Sequence, residues 1–143
     1  MALPQQKFRE IVFQILFSAE FEPNGSSDTA LMLMNELKVT KRSVLQAEER
    51  AAQVLSKLEE IDGKIRNSSH EYKFDRISSA EKCALRLGLY ELLYDVSLPP
   101  KVAIAEAIRL TRKFGTPESA HFVNAILDAV YKHGLELAAQ PAP

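Results

Sequence analysis

The sequence has no tryptophan, one cysteine and no apolar run approaching the ~20 residues a spanning helix needs. A lone Cys83 excludes an intramolecular disulfide and a cysteine-rich metal site, and its apolar neighbours predict a thiol packed as a small hydrophobe. The opening Met1-Ala2-Leu3-Pro4-Gln5-Gln6 lacks the charged start and apolar core of a secretory leader, so a soluble cytoplasmic protein is expected. Charge of one sign is missing too: 18 Lys and Arg balance 19 Asp and Glu, for a net −1. Dedicated nucleic-acid binders are usually basic, because neutralised phosphates supply most of their affinity. Any such role here needs a local patch or a partner's charges.

Glycine and proline are also scarce, at 5 and 7 in 143 residues. They fall where helices should end: Pro23-Asn24-Gly25-Ser26-Ser27, Pro99-Pro100 and Gly115-Thr116-Pro117, with Asn67-Ser68-Ser69 and Ser78-Ser79 bracketing a polar connection. Between the breaks the apolar period is helical and no segment alternates with period two. Phe8, Ile11, Val12, Ile15, Leu16 and Ala19 form one face of a first helix. Phe13, Phe17 and Phe21 flank that face, which predicts burial over more than half its circumference. A short helix over 28–37 follows, capped by Ser27 or Asp28, then a long one over 43–66 that Gly63 kinks or ends. Ser78-x-x-Glu81 has capping-box spacing. The helix it opens is apolar nearly all round, as suits the centre of a bundle. A fifth helix over 101–114 stops at Gly115. Thr116 and Pro117 then start a last one, with His121, Asn124, Asp128 and Lys132 on its polar row. The expectation is an all-α, single-domain bundle of six to seven helices over 1–134, with 135–143 a frayed tail.

Catalytic patterns are equally thin. There is no glycine-rich phosphate loop, no His-Glu-x-x-His and no Gly-x-Ser-x-Gly. His121 and His133 lie more than three turns apart at ~1.5 Å per residue, too far to share a metal. These two and His70 are therefore expected to face solvent. Carboxylates from Glu48 to Asp62 interleave with Arg50 and Lys57 as on a solvated helix face. No cofactor, metal or catalysis is expected. Two basic features remain. Lys7 and Arg9 oppose the dipole at the start of the first helix, an arrangement an anion would relieve. Arg109, Arg112 and Lys113 close the fifth helix, where cations favour the dipole without any ligand.

Three ordered stretches resemble the bacterial NusB transcription-antitermination family. Glu81-Lys82 with Leu85-Arg86 and Tyr90-Glu91-Leu92 is similar to its "EK-x-x-LR-x-x-x-YEL" stretch. Pro99-Pro100 through Ala107 continues the match to Arg112-Lys113-Phe114-Gly115, and Phe122-Val123-Asn124-Ala125-Ile126-Leu127-Asp128 is similar to its "FVNGVLD". Arg9 and Phe17 fit the N-terminal frame "R-x-x-A-x-x-x-L-[YF]". The resemblance implies an all-helical protein, with neither catalysis nor cofactor, that binds the boxA element of ribosomal RNA transcripts. It does so with NusE, a small-subunit ribosomal protein, in an RNA polymerase antitermination complex. Carried over residue by residue, RNA contact falls on Lys7, Arg9, Arg112, Lys113, Glu118, Phe122 and Asn124. NusE contact falls on Glu81, Lys82 and Arg86, with Glu81 first.

Phe122 has two roles open to it, core packing or stacking on an unpaired base. Glu81 has the capping box beside any partner contact. Three departures stand out. Gln5-Gln6-Lys7-Phe8-Arg9 replaces an arginine-rich opening, Ala105 the usual Asn of "INEA", and Ala125 the Gly of "FVNG". The first removes positive charge where RNA should dock, so weaker RNA binding and heavier reliance on the partner are expected. The alternative is a protein-binding scaffold of the same fold with little RNA affinity, and exposed apolar surface leaves homodimerisation open. A third reading, the RNA-recruiting module of a ribosomal RNA methyltransferase, would need an α/β cofactor domain that 143 residues do not hold.

Overall fold

A computed structural model describes residues 3–21, 27–70 and 73–139. Among them are seven α-helices, one 3-10 turn and no strand. The helices are α1 (Gln5–Phe21), α2 (Ser27–Leu37), α3 (Lys41–Ser56), α4 (Leu58–Ser68), α5 (Ser79–Tyr94), α6 (Pro100–Phe114) and α7 (Pro117–Ala139), with the 3-10 turn at Phe74–Arg76. The all-α expectation holds. The chain divides into two compact units, Met1–Lys57 and Leu58–Pro143.

In the first unit α1 packs on α3, and α2 on both. The buried face of α1 is Arg9, Ile11, Val12, Phe13 and Leu16, rotated from the face the periodicity predicts. Phe13 therefore belongs to the core, while Phe17 and Phe21 emerge into solvent rather than widening the buried stripe. From α3, Val44, Ala47, Ala51 and Val54 are buried, and their small side chains permit close packing. Thr40 caps α3, its Oγ1 accepting from the Ser43 N–H at 3.1 Å. The turn proposed at 23–26 lies outside the described residues, as do the side chains of Ser27 and Asp28. At the end of α2, Lys38 adopts a left-handed φ of 53°. The Val39 N–H closes back on the Met34 carbonyl at 3.3 Å, a Schellman-type ending usually given to glycine.

The single helix expected over 43–66 is two, broken at Lys57 rather than at Gly63. Gly63 lies inside α4 with open space around it. In the last turn of α3 the Ser56 hydroxyl donates to the Gln53 carbonyl at 2.6 Å.

In the second unit α5 is the hub, contacting α4, α6 and α7. Its run Cys83 to Leu89 is buried without interruption, and Arg86 is the one polar residue in it. Gly88 allows α6 and α7 to approach: a Cβ there would stand 2.8 Å from that of Ala107 and 3.4 Å from Leu127 Cδ1. The capping box forms as expected. Glu81 N–H donates to Ser78 Oγ at 3.2 Å, and Ser78 N–H to Glu81 Oε1 at 3.3 Å. Gly115 ends α6, but with φ −124°, outside the left-handed region. A side chain is excluded there by crowding instead, since its Cβ would lie 2.9 Å from the Thr111 carbonyl. Thr116 caps α7 through the Ser119 N–H at 3.1 Å, with Pro117 at the first helical position. Helix α7 passes Gly134 and ends at Ala139, inside the stretch read as a frayed tail; residues 140–143 lie outside the described residues.

Candidate nucleic-acid and partner interfaces

The corner where α6 gives way to α7 collects most of the residues the sequence points to for RNA. Arg112 and Lys113 stand exposed in the last turn of α6, where the carbonyl end of the helix favours cations. The Lys113 ammonium lies 5.9 Å from the Phe114 ring centre. Glu118 is exposed in the first turn of α7, where the dipole favours an acid. Glu118, His121, Phe122 and Ala125 share one side of α7 and line a groove of about 450 Å³. The opposite wall comes from Ser68, Ser69 and His70 at the end of α4. Phe122 is half-buried, so its alternatives resolve to the wall of an open groove rather than to the core. Asn124 is exposed on α7 but does not line this groove.

The N-terminal pair divides. Lys7 is half-buried on the first turn of α1, and Arg9 points inward at 7 % exposure with its polar interactions made inside the protein. Burial of a guanidinium requires such partners, and a side chain so placed presents no charge to a phosphate. Arg9 therefore drops out of the RNA-facing set.

The partner set divides the same way. Arg86 is 9 % exposed and grips Asp62 of α4 through two parallel bonds, Nε to Oδ1 and Nη2 to Oδ2, each 3.0 Å. That fork clamps α4 on α5 and removes Arg86 from any docking surface. Lys82 is half-buried, its ammonium 4.6 Å from the ring centre of Phe74. Arg66 covers the same ring at 4.2 Å, so the 3-10 turn is pinned by cations from α4 and α5. Glu81 remains half-exposed, and both capping bonds it accepts from Ser78 fall on Oε1.

Two features escaped the sequence reading. One is the pair Phe17 and Phe21, exposed by 36 % and 65 %. Phe17 stacks on Phe13 at 6.2 Å and meets Phe21 edge-on at 5.1 Å, an aromatic row running from core to solvent. Their four-residue spacing was visible, but a phase assigned from the apolar count alone placed them inside. The other is the placement of two histidines: His70 and His121, both exposed as expected, line the same groove. No local pattern joins residues that far apart in the chain.

Among the described residues no cluster of three or more His, Cys, Asp or Glu is placed to hold a metal, and no helix is long and apolar enough to cross a membrane. An all-helical fold with a half-buried aromatic groove, a basic helix end and an exposed aromatic row defines a binding protein. The sequence model of the NusB family matches residues 6–132, and the chain belongs to that family, whose members are not enzymes. It is 36 % identical to the transcription antitermination protein NusB of Chlamydia pneumoniae, over 90 % of this chain and 80 % of that one. It is 34 % identical to that of Fervidobacterium nodosum, over 92 % and 93 %. Among solved structures, NusB of T. maritima superposes with a TM-score of 0.77 at 30 % identity, covering 92 % and 93 % of the two chains. A chain in a crystal structure of antitermination factors NusB and NusE with double-stranded RNA superposes with a TM-score of 0.76 at 25 % identity, over 90 % and 96 %.

Proposed function

We propose that this chain is a cytoplasmic transcription antitermination factor. It binds boxA-type RNA of ribosomal RNA transcripts together with NusE, within an antitermination complex on RNA polymerase. The observation that carries the RNA contact is the groove on α7. Phe122 offers a ring face there beside Glu118 and His121, and α6 ends in Arg112 and Lys113 at the helix junction. Unpaired bases stack on aromatic rings, and a carboxylate accepts from base amino groups. The two cations hold phosphates and steer the strand. Asn124 and Lys7 extend contact along α7 and at the start of α1. For the protein partner, Glu81 supplies a charge on α5, and in the first unit Phe17 and Phe21 are exposed aromatic side chains of the kind that interfaces use as anchors.

The test is a salt titration of labelled boxA RNA against a scrambled strand, with and without NusE. Specific binding by the pair is expected, with log K falling by ~0.7 per phosphate neutralised for each unit of log salt. Phe122→Ala should cost ~1–3 kcal/mol of that affinity without changing the salt slope. The burial of Arg9, added to an opening poor in arginine, favours a second reading as a protein scaffold with little RNA affinity. That reading prevails if NusE binds but the pair discriminates RNA no better than NusE alone.

A further inference from the structure

The groove does not end at Ala129. A second cavity of about 310 Å³ adjoins it, sharing Ser68, His70 and Ala129 with the first. Lys64, Asn67, His70 and His133 also line it, all of them exposed. The two cavities differ in chemistry. Both carry two imidazoles and the Ser68 hydroxyl; the first adds the Phe122 ring, more apolar side chains and one carboxylate, and the second adds the Lys64 ammonium and the Asn67 amide. No carboxylate is among its described lining residues. All three histidines of the chain thus stand along one track between the end of α4 and the outer face of α7. From Phe122 to His133 that track runs ~16 Å at 1.5 Å per helical residue.

We infer that the second cavity is a phosphate subsite for the same single-stranded RNA, built around Lys64, Asn67, His70 and His133. The inference rests on the RNA reading of the first cavity and extends it to a neighbouring nucleotide. A base seated against Phe122 leaves its strand running along the groove, and the next concave stretch it meets carries an ammonium and an amide in place of the ring and the carboxylate. Lys64 supplies the full charge. Asn67, Ser68 and the imidazoles supply hydrogen bonds at the wall, as phosphate oxygens require. The carbonyl end of α4 repels an anion, and it favours the Lys64 ammonium. Lys132 lies nearby on α7 but is not in the lining and is paired with Asp128 at 2.9 Å, so it serves as a charge-matched control.

The test measures binding of a labelled single-stranded boxA RNA to the complex with NusE across a salt series, comparing Lys64→Ala, His133→Ala, Lys132→Ala and Phe122→Ala. Circular dichroism confirms that each variant folds. Lys64→Ala is expected to make the log K–log salt slope shallower by about 0.7, one phosphate's worth, while Lys132→Ala leaves it unchanged. His133→Ala should weaken binding of boxA and scrambled strands by the same factor, whereas Phe122→Ala weakens boxA more. If Lys64→Ala moves the slope no further than Lys132→Ala while Phe122→Ala still weakens binding, the subsite is wrong and the RNA reading survives. If the unaltered complex shows no more affinity than NusE alone, both fall together.

Discussion

Two groups of cations on this protein look alike in sequence and end in opposite circumstances. Lys82 and Arg86 on α5 spend their charge internally, on Phe74 and on the carboxylate of Asp62. Arg112 and Lys113 on α6 stand in solvent at a helix end. Both pairs lie on helices, and neither has an acid three or four residues away to betray its fate. What separates them is whether another helix arrives on the same side. For Arg86 it is α4, bringing Asp62 from 24 residues away. The lesson is that a family motif marks positions under constraint without saying whether packing or binding imposes it. In the stretch around Glu81 to Arg86 the structure answers largely with packing, and at the α6–α7 corner with exposed groups.

The largest effect should come from the clamp. Arg86→Ala leaves Asp62 buried without its cation and should cost ~3–5 kcal/mol in chemical denaturation. Equal stability of the variant would move Arg86 back among the surface residues. Gly88→Ala, which forces α5 away from Ala107, should cost ~1–3 kcal/mol by overpacking. Ser78→Ala removes the cap at the start of the same helix and should cost ~0.5–2 kcal/mol. By contrast, replacing Arg112 and Lys113 together by alanine should cost no more than ~1 kcal/mol each, the dipole contribution, while making RNA binding less salt-sensitive. Stability loss comparable with that of Arg86→Ala would erase the distinction between the two groups.

The smallest effect concerns pH. The Tyr94 hydroxyl donates to Glu60 on α4, and that hydrogen bond, with lesser help from burial and the carboxylate's charge, pushes its pKa from 10.0 up to about 12. Because the folded value is the higher one, the contribution is complete below the unfolded value and is lost as pH climbs through the folded one. Ultraviolet titration should therefore show one tyrosine ionising late. Glu60→Gln should bring it back toward the ordinary range.

The long helix over 43–66 shows why some boundaries could not be read. Val44, Ala47, Ala51 and Val54 in α3 and Ile61 and Ile65 in α4 keep one spacing of three and four residues, with Leu58 half-buried in register. The apolar phase runs straight through Lys57, so periodicity has nothing to report there. The only glycine in the stretch, Gly63, drew the expected break to the wrong place. On α1 the miss was rotational: with apolar residues over most of its surface, the helix face could not be assigned by counting. The histidines were unreadable for a different reason, since His70 reaches the groove from the end of α4 and His121 from α7.

Local chemistry alone determined the all-helical class, the capping box at Ser78 and Glu81, the Thr116–Pro117 start of α7 and the central place of α5. Each depends on residues within one or two turns, where hydrogen-bond geometry and helical period act directly. Only the tertiary structure decided which cations face solvent, that Arg9 and Arg86 turn inward, that Phe17 and Phe21 turn outward, and that three histidines share one track. Those outcomes depend on which helix packs against which. The free energy that decides them, desolvating a charge only where a distant partner receives it, is not encoded in any single stretch of the chain.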